Sequence, residues 1–117
     1  MSDTALSAPS ALKANASIFA ALGDETRLAL LARLTSGEPQ SIARLTLGTS
    51  LTRQAVTKHL RVLEGAGIVR SVRTGRETQF ALEVKSIDDV RAYLERVSRQ
   101  WDDALTRLKA HVEGDGP

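Results

Sequence analysis

Arg53, Gln54, Thr57, Lys58 and Arg61 crowd one short stretch and bring cations, an amide and a hydroxyl together. At 100° per residue, Gln54, Thr57, Lys58 and Arg61 share one face of a helix, with Arg53 at its leading end. Thr52 is the residue type that caps such a helix, and Ala55, Val56, Leu60 and Leu63 form its inner face. Cations contact phosphates, and Arg, Lys, Gln and Thr also hydrogen-bond base edges in a major groove. The chemistry offered is recognition rather than bond making. Elsewhere the reactive groups are scattered. His59 and His111 lie 52 residues apart, there is no Cys, and no Gly-rich loop of the phosphate-binding kind follows a strand. Nothing converges on a catalytic centre, and no cofactor or metal is expected.

Charge follows the same stretch. From Arg44 to Arg76 there are seven cations and one anion, a balance of +6; the remainder carries nine cations and thirteen anions, −4. A split of this kind turns one end of a molecule toward a polyanion. With 117 residues the chain has room for one domain and one core. Without cysteine it forms no disulfide, and neither a signal sequence nor a bilayer-length apolar run is visible, so a cytoplasmic protein without membrane contact is expected.

The elements that must position the polar face can be read in order. Residues 1–10 are small and polar and predict a disordered tail, before one folded domain over 11–113. Ala11 to Leu22 predicts a helix, with Leu12, Ile18, Phe19 and Leu22 able to share a face, and Gly23 stops it. Asp24 caps a second helix to about Thr35, with Leu28, Leu31 and Leu34 as its stripe. Ser41 caps a third, Ile42 to Leu47, and Gly48 to Leu51 turns the chain into the polar helix. Two short helices joined by a tight Gly-containing turn make a helix-turn-helix. Gly65 and Gly67 close the second of them. Ile68 to Arg73 and Arg76 to Leu82 predict strands joined by a turn at Thr74-Gly75, a hairpin with Arg70, Arg73 and Arg76 on or near its tip. A basic hairpin directly after a recognition helix is a wing, suited to a flanking backbone or minor groove.

Ser86 opens a last helix, 86–112, roughly 40 Å long at 1.5 Å per residue. Ile87, Val90, Leu94, Val97, Trp101, Ala104 and Leu108 recur along it at alternating gaps of three and four, the seam by which helices pair. So long a seam exceeds what one small domain buries, and Trp101 in its middle is the expected anchor of a dimer. Residues 114–117 are a tail.

Ala-Leu-Gly-Asp-Glu-Thr-Arg-Leu at 21–28, Leu-Thr-Arg-Gln-Ala-Val-Thr-Lys-His-Leu-Arg-Val-Leu-Glu at 51–64, Ala-Gly-Ile-Val at 66–69 and Gly-Arg-Glu-Thr-Gln-Phe-Ala-Leu at 75–82 resemble the ArsR/SmtB family of bacterial repressors. The resemblance spans about residues 15–112. It implies a mainly α winged helix-turn-helix with a small β-hairpin, paired as a homodimer through its first and last helices on an operator of inverted half-sites. Carried over, the base-reading end is Arg53, Gln54, Thr57 and Lys58 and the wing is Arg73 to Arg76. The expected DNA-binding set is Arg44, Thr52, Arg53, Gln54, Thr57, Lys58, Arg61, Arg73 and Arg76. The expected dimer set is Ile18, Val90, Leu94, Val97, Trp101, Leu105 and Leu108.

The chain departs from well-known members of that family in its sensing positions. Where they carry a Cys pair, it has Ile-Ala-Arg-Leu-Thr-Leu at 42–47. Where others bind zinc between paired last helices, it has His111 with Glu113 two residues on, and neighbours two apart on a helix do not face the same way. Asp102 or Asp103 are the remaining candidates from a dimer. Any small-molecule effector is left unidentified. By helical phase His59 falls on the inward flank of the recognition helix, as a packed, hydrogen-bonded residue rather than a phosphate ligand. Arg27 and Arg33 are expected to be solvated or salt-bridged, and Arg44 to lie along a phosphate strand. The rival reading is a winged helix that binds a protein partner without specific DNA contact.

Overall fold

A computed structural model describes residues 9–114, with side chains from Leu12 onward. The expected tails at 1–10 and 114–117 therefore lie outside it, except for residues 9, 10 and 114. The helices are α1 (Pro9–Leu22), α2 (Glu25–Arg33), α3 (Ile42–Thr46), α4 (Arg53–Gly65) and α5 (Val84–Gly114); the strands are β1 (Gln40–Ser41), β2 (Val69–Thr74) and β3 (Glu77–Leu82). The fold is mainly α with a small antiparallel sheet, as the sequence predicts. The backbone divides after Ser86 into two compact units, the first carrying everything up to β3 and the second consisting of α5 from Ile87 onward.

In the first unit α4 is the central element, packed on α1, α2, α3 and β2. Its cap is the one expected: the Thr52 hydroxyl accepts from the Ala55 amide at 3.1 Å. Val56, Leu60 and Leu63 are buried and Ala55 half-buried, so the inner face is as read. Each such leucine contributes on the order of 2 kcal/mol by leaving water. The helix ends in a Schellman motif. The Gly67 amide donates to the Glu64 carbonyl at 2.9 Å and the Ile68 amide to the Leu63 carbonyl at 3.0 Å. That arrangement needs a left-handed residue, and Gly67 supplies it at φ 79°. The motif also tucks Ile68, 1% exposed, beside Leu63 and so starts β2 from the core.

Several expectations shift. Helix α1 begins two residues early, at Pro9, and proline suits a first helical turn because its missing amide would be unpaired there. Helix α5 begins at Val84 rather than Ser86 and runs to Gly114. Helix α2 ends at Arg33, and its buried stripe is not Leu28, Leu31 and Leu34. Leu30 and Leu34 are buried, Leu31 is half-buried, and Leu28 is 52% exposed. Leucines stand on both sides of this helix, so a spacing of three alone does not select the inner one.

The hairpin is slipped by one residue from the expected turn. Thr74 pairs with Glu77, so the two-residue loop is Gly75-Arg76. Gly75 holds φ 61°, the positive value that primed hairpin turns require at their first central position. Arg76 is therefore the tip. Arg70 is not near it: it pairs with Ala81 at the base of the hairpin, where its Nε lies 3.6 Å from a Glu83 carboxylate oxygen. The sheet also has a third strand. β1 pairs with β3, Gln40 opposite Phe80 and Ser41 opposite Gln79, giving the order β1-β3-β2. Phe80 on the central strand is fully buried.

Helix α5, which forms the second unit from Ile87 onward, has 31 residues and, before its final residue, no Gly or Pro. Ile87, Leu94, Trp101, Leu105, Leu108 and Val112 are exposed along it, Trp101 at 63%. Val97 is half-buried and Val90 buried. Its polar side carries an Arg91–Glu95 pair at 3.8 Å, one turn apart, and Arg96 over the Tyr93 ring at 5.7 Å. No helix among the described residues is long and apolar enough to cross a membrane.

Candidate nucleic-acid interface

The leading end of α4 presents the expected polar face. Thr52, Gln54, Ala55, Thr57 and Lys58 line an open concavity of about 600 Å³. Thr57 donates its hydroxyl proton to the Arg53 carbonyl at 2.7 Å, leaving its oxygen with acceptor capacity. Arg53, Gln54 and Lys58 are exposed, and among the described residues their side chains have no hydrogen-bond or ion-pair partner. The same holds for Arg44 on α3 and Arg76 at the wing tip. Arg73 is exposed and makes only a loop-closing bond, its Nε donating to the Gly75 carbonyl at 3.2 Å.

Other arginines are committed to the fold. Arg27 Nε donates to the Ala21 carbonyl at 2.6 Å, and its Nη1 lies 3.3 Å from Nδ1 of His59. A guanidinium can only donate, so in this bond Nδ1 of His59 is the acceptor. His59 is thus a half-buried, bonded residue that ties α4 to α2, in keeping with its helical phase. Asp24 completes the cluster: its carboxylate caps α2 through the Arg27 amide at 3.0 Å and stands 3.9 Å from His59 Nδ1. That amide bond, foremost, holds the Asp24 carboxyl below the usual range; desolvation opposes it and the Arg27 charge assists. Arg33 Nη1 donates to the Leu45 carbonyl at 2.7 Å, fastening α2 to α3. The expectation that Arg27 and Arg33 are merely solvated or salt-bridged is corrected: each holds a backbone carbonyl of another element.

Arg61, expected to touch DNA, is likewise engaged. Its Nη1 donates to Glu64 Oε1 at 2.7 Å, and its guanidinium lies 5.2 Å from the Phe80 ring centroid. The other Glu64 oxygen accepts from the Ser71 hydroxyl at 2.7 Å. The Arg61 bond first, and then the Ser71 bond, hold the Glu64 carboxyl below its ordinary range. Through these contacts the outer half of α4 is tied to β2 and β3, which carry the wing. Sequence reasoning missed Glu64 and Ser71. Glu64 lies three residues from Arg61, a spacing that signals a helical ion pair; no local pattern reveals Ser71.

The dimer set is placed unevenly. Leu94, Trp101, Leu105 and Leu108 stand exposed, whereas Ile18 and Val90 are each only 9% exposed in the single chain and have little surface left to offer a partner. No group of three His, Cys, Asp or Glu side chains suited to a metal occurs among the described residues.

Comparison with known proteins agrees with this geometry. A helix-turn-helix domain family model matches residues 22–72. The chain is 45% identical over 65 residues to the uncharacterized HTH-type transcriptional regulator YuzN of Bacillus subtilis, covering 50% of this chain and 71% of that one. It is 31% identical over 96 residues to the HTH-type transcriptional regulator Rv2034 of Mycobacterium tuberculosis, covering 82% and 86% respectively. Among solved structures, an ArsR-like transcriptional regulator from Rhodococcus sp. RHA1 superposes with a TM-score of 0.74 at 36% identity, over 86% of this chain and 93% of that one.

Proposed function

The chain belongs to the ArsR family of winged helix-turn-helix transcriptional regulators, and from that premise we propose that it acts as a homodimeric repressor of an inverted-repeat operator. The observation that carries this reading is the division among the basic side chains between Arg27 and Arg76. Arg27, Arg33, Arg61 and Arg70 are held by carbonyls, a ring nitrogen or carboxylates. Arg44, Arg53, Lys58 and Arg76 are not, and they fall on α3, the leading end of α4 and the wing tip. An exposed cation without a partner breaks no existing bond when it meets a phosphate or a guanine edge.

Arg53, Gln54, Thr57 and Lys58 read bases, with Thr52 setting the start of the helix between them and the backbone. Arg44 and Arg76 hold phosphates, with Arg73 behind the tip. Arg61 is a positioning residue, since its guanidinium already serves Glu64 and Phe80. Pairing through the exposed strip of α5 sets two reading helices at half-sites one helical turn apart or a multiple of it. Repression then follows by occlusion of a promoter.

Selection from random duplexes with purified protein at two salt concentrations tests the proposal. Enrichment of an inverted repeat, with affinity falling steeply as salt rises, is expected. Arg53→Ala should relax base preference at one position of each half-site, at about 1 to 3 kcal/mol. Arg76→Ala should weaken all duplexes alike and reduce the log-log salt slope by about one. Salt-sensitive binding with no enriched sequence would remove the base-reading assignment. A folded dimer that binds no duplex at low salt would favour a protein partner instead.

A further inference from the structure

A second concavity lies between α2 and the turn that joins α3 to α4. Thr26, Ala29, Leu30 and Arg33 share one face of α2 and form one wall; Gly48, Thr49 and Leu51 form the other. Its volume is about 210 Å³. It is more enclosed than the shallow surface at Lys58, and Leu30, its floor, is buried. The hollow is half open, and by size alone it exceeds the volume of about 150 Å³ that an enclosed apolar cavity needs for benzene, so a ring with a small substituent fits its volume.

The chemistry of the walls specifies the substituent. Leu30, Ala29 and Leu51 supply an apolar body contact, while Thr26 contributes a hydroxyl. Thr49 donates its hydroxyl proton to the Thr46 carbonyl at 2.7 Å. Arg33 is the only charge in the lining. One of its nitrogens is fixed at the Leu45 carbonyl, and Nη2 lies 3.1 Å from the point where a Cβ on Gly48 would stand. Among the described residues no carboxylate comes within ion-pair distance of it. A guanidinium anchored at one corner, with its remaining donors open beside an apolar hollow, is built to take a carboxylate in fork geometry.

We propose that this pocket binds a small monocarboxylate with a compact apolar or aromatic body, its carboxylate on Arg33 and its body on Ala29, Leu30 and Leu51. Such a ligand touches the turn that leads into Thr52 and thus the start of the reading helix. Only that consequence rests on the proposed DNA-binding function; the binding itself does not.

The test is therefore run without DNA. Isotope-labelled full-length protein is titrated with sodium benzoate and, separately, with benzyl alcohol as its neutral counterpart, following backbone amides. Benzoate should give saturable shifts centred on Thr26, Ala29, Thr49 and Leu51, and benzyl alcohol should bind about ten- to a hundredfold more weakly, the range a charge-assisted hydrogen bond commands. Arg33→Met should remove that preference. If loss of the Leu45 bond unfolds this variant, Ala29→Leu decides, because it fills the hollow without touching a hydrogen bond; it should abolish the shifts while the remaining spectrum is unchanged. Shifts absent at about 10 mM benzoate, equal binding of the two compounds, or undiminished binding to Ala29→Leu would each overturn the proposal.

Discussion

The first unit and α5 treat their apolar side chains in opposite ways. Of the thirteen buried apolar residues described, twelve lie between Ile18 and Ala81, and α5 contributes Val90 alone. Yet α5 is no less apolar in pattern: Ile87, Leu94, Trp101, Leu105, Leu108 and Val112 follow one another at seven, seven, four, three and four residues and stand in water. Helices α1 to α4 fold their leucines inward around Leu60 and Phe80. The long helix holds its own outward. Similar hydrophobic repeats are thus buried in one region and exposed in the other, and under the proposed pairing the exposed one serves recognition between chains.

Charges placed on the strip should break that contrast most severely. Leu94→Glu with Trp101→Glu is expected to raise the dimer dissociation constant by about a thousandfold, from about 2 kcal/mol per anchor, measured by sedimentation. The far-ultraviolet signal of the folded chain should persist. A dimer left intact would mean that the strip is not the interface. Next in size, Leu60→Ala in the first unit should cost about 3 kcal/mol in urea unfolding, through lost burial and the cavity left behind. Were Leu105→Ala to destabilise the dilute monomer as much, the distinction between the two regions would fail.

The smallest effect concerns the polar tie beside the core. The Glu64 carboxyl is held below its ordinary value of 4.5, so its stabilisation is fully present above that pH and is lost as pH falls through the depressed value. Glu64→Gln should therefore flatten the decline in stability below about pH 4.5 and change stability at pH 7 by less than about 1 kcal/mol. Acid titrations monitored by circular dichroism would show it. A decline of unchanged steepness would assign the acid sensitivity elsewhere.

Local signals explain what is legible in the sequence. The cap at Thr52, the face of Val56, Leu60 and Leu63, and the glycine stop at Gly67 each depend on residues within one or two turns of one another, and each stands where the sequence predicts. The wing is legible as a hairpin but not to the residue, because Thr74-Gly75 and Gly75-Arg76 both contain the glycine a tight turn needs. Only the pairing of Thr74 with Glu77 selects between them. Strand β1 is invisible: two residues carry no alternation, and what makes them a strand is the edge of β3. The inward side of α2 is misread because a spacing rule sees only apolar positions. Leu28 matches the spacing of Leu31 and Leu34 and is nonetheless the exposed one, whereas its neighbour Arg27 is half-buried and satisfied by Ala21 and His59. Of the polar face, the residue types are legible and their commitments only in part: Glu64, three residues on, marks Arg61 off from Arg53, whereas the Phe80 contact is invisible in the sequence.

Helix α5 is also a rigid shaft. Its 31 residues span about 46 Å at 1.5 Å per residue, with nothing between Val84 and Glu113 that kinks a helix. A shaft of that length does not absorb torque by bending. If two such helices cross and the crossing turns by about 10° near one end, the opposite end sweeps about 8 Å, more than the rise of a full helical turn. A small rotation at the seam is thereby geared up into a displacement larger than the reach of a hydrogen bond. In the proposed dimer the helix would serve as a lever as well as a clasp.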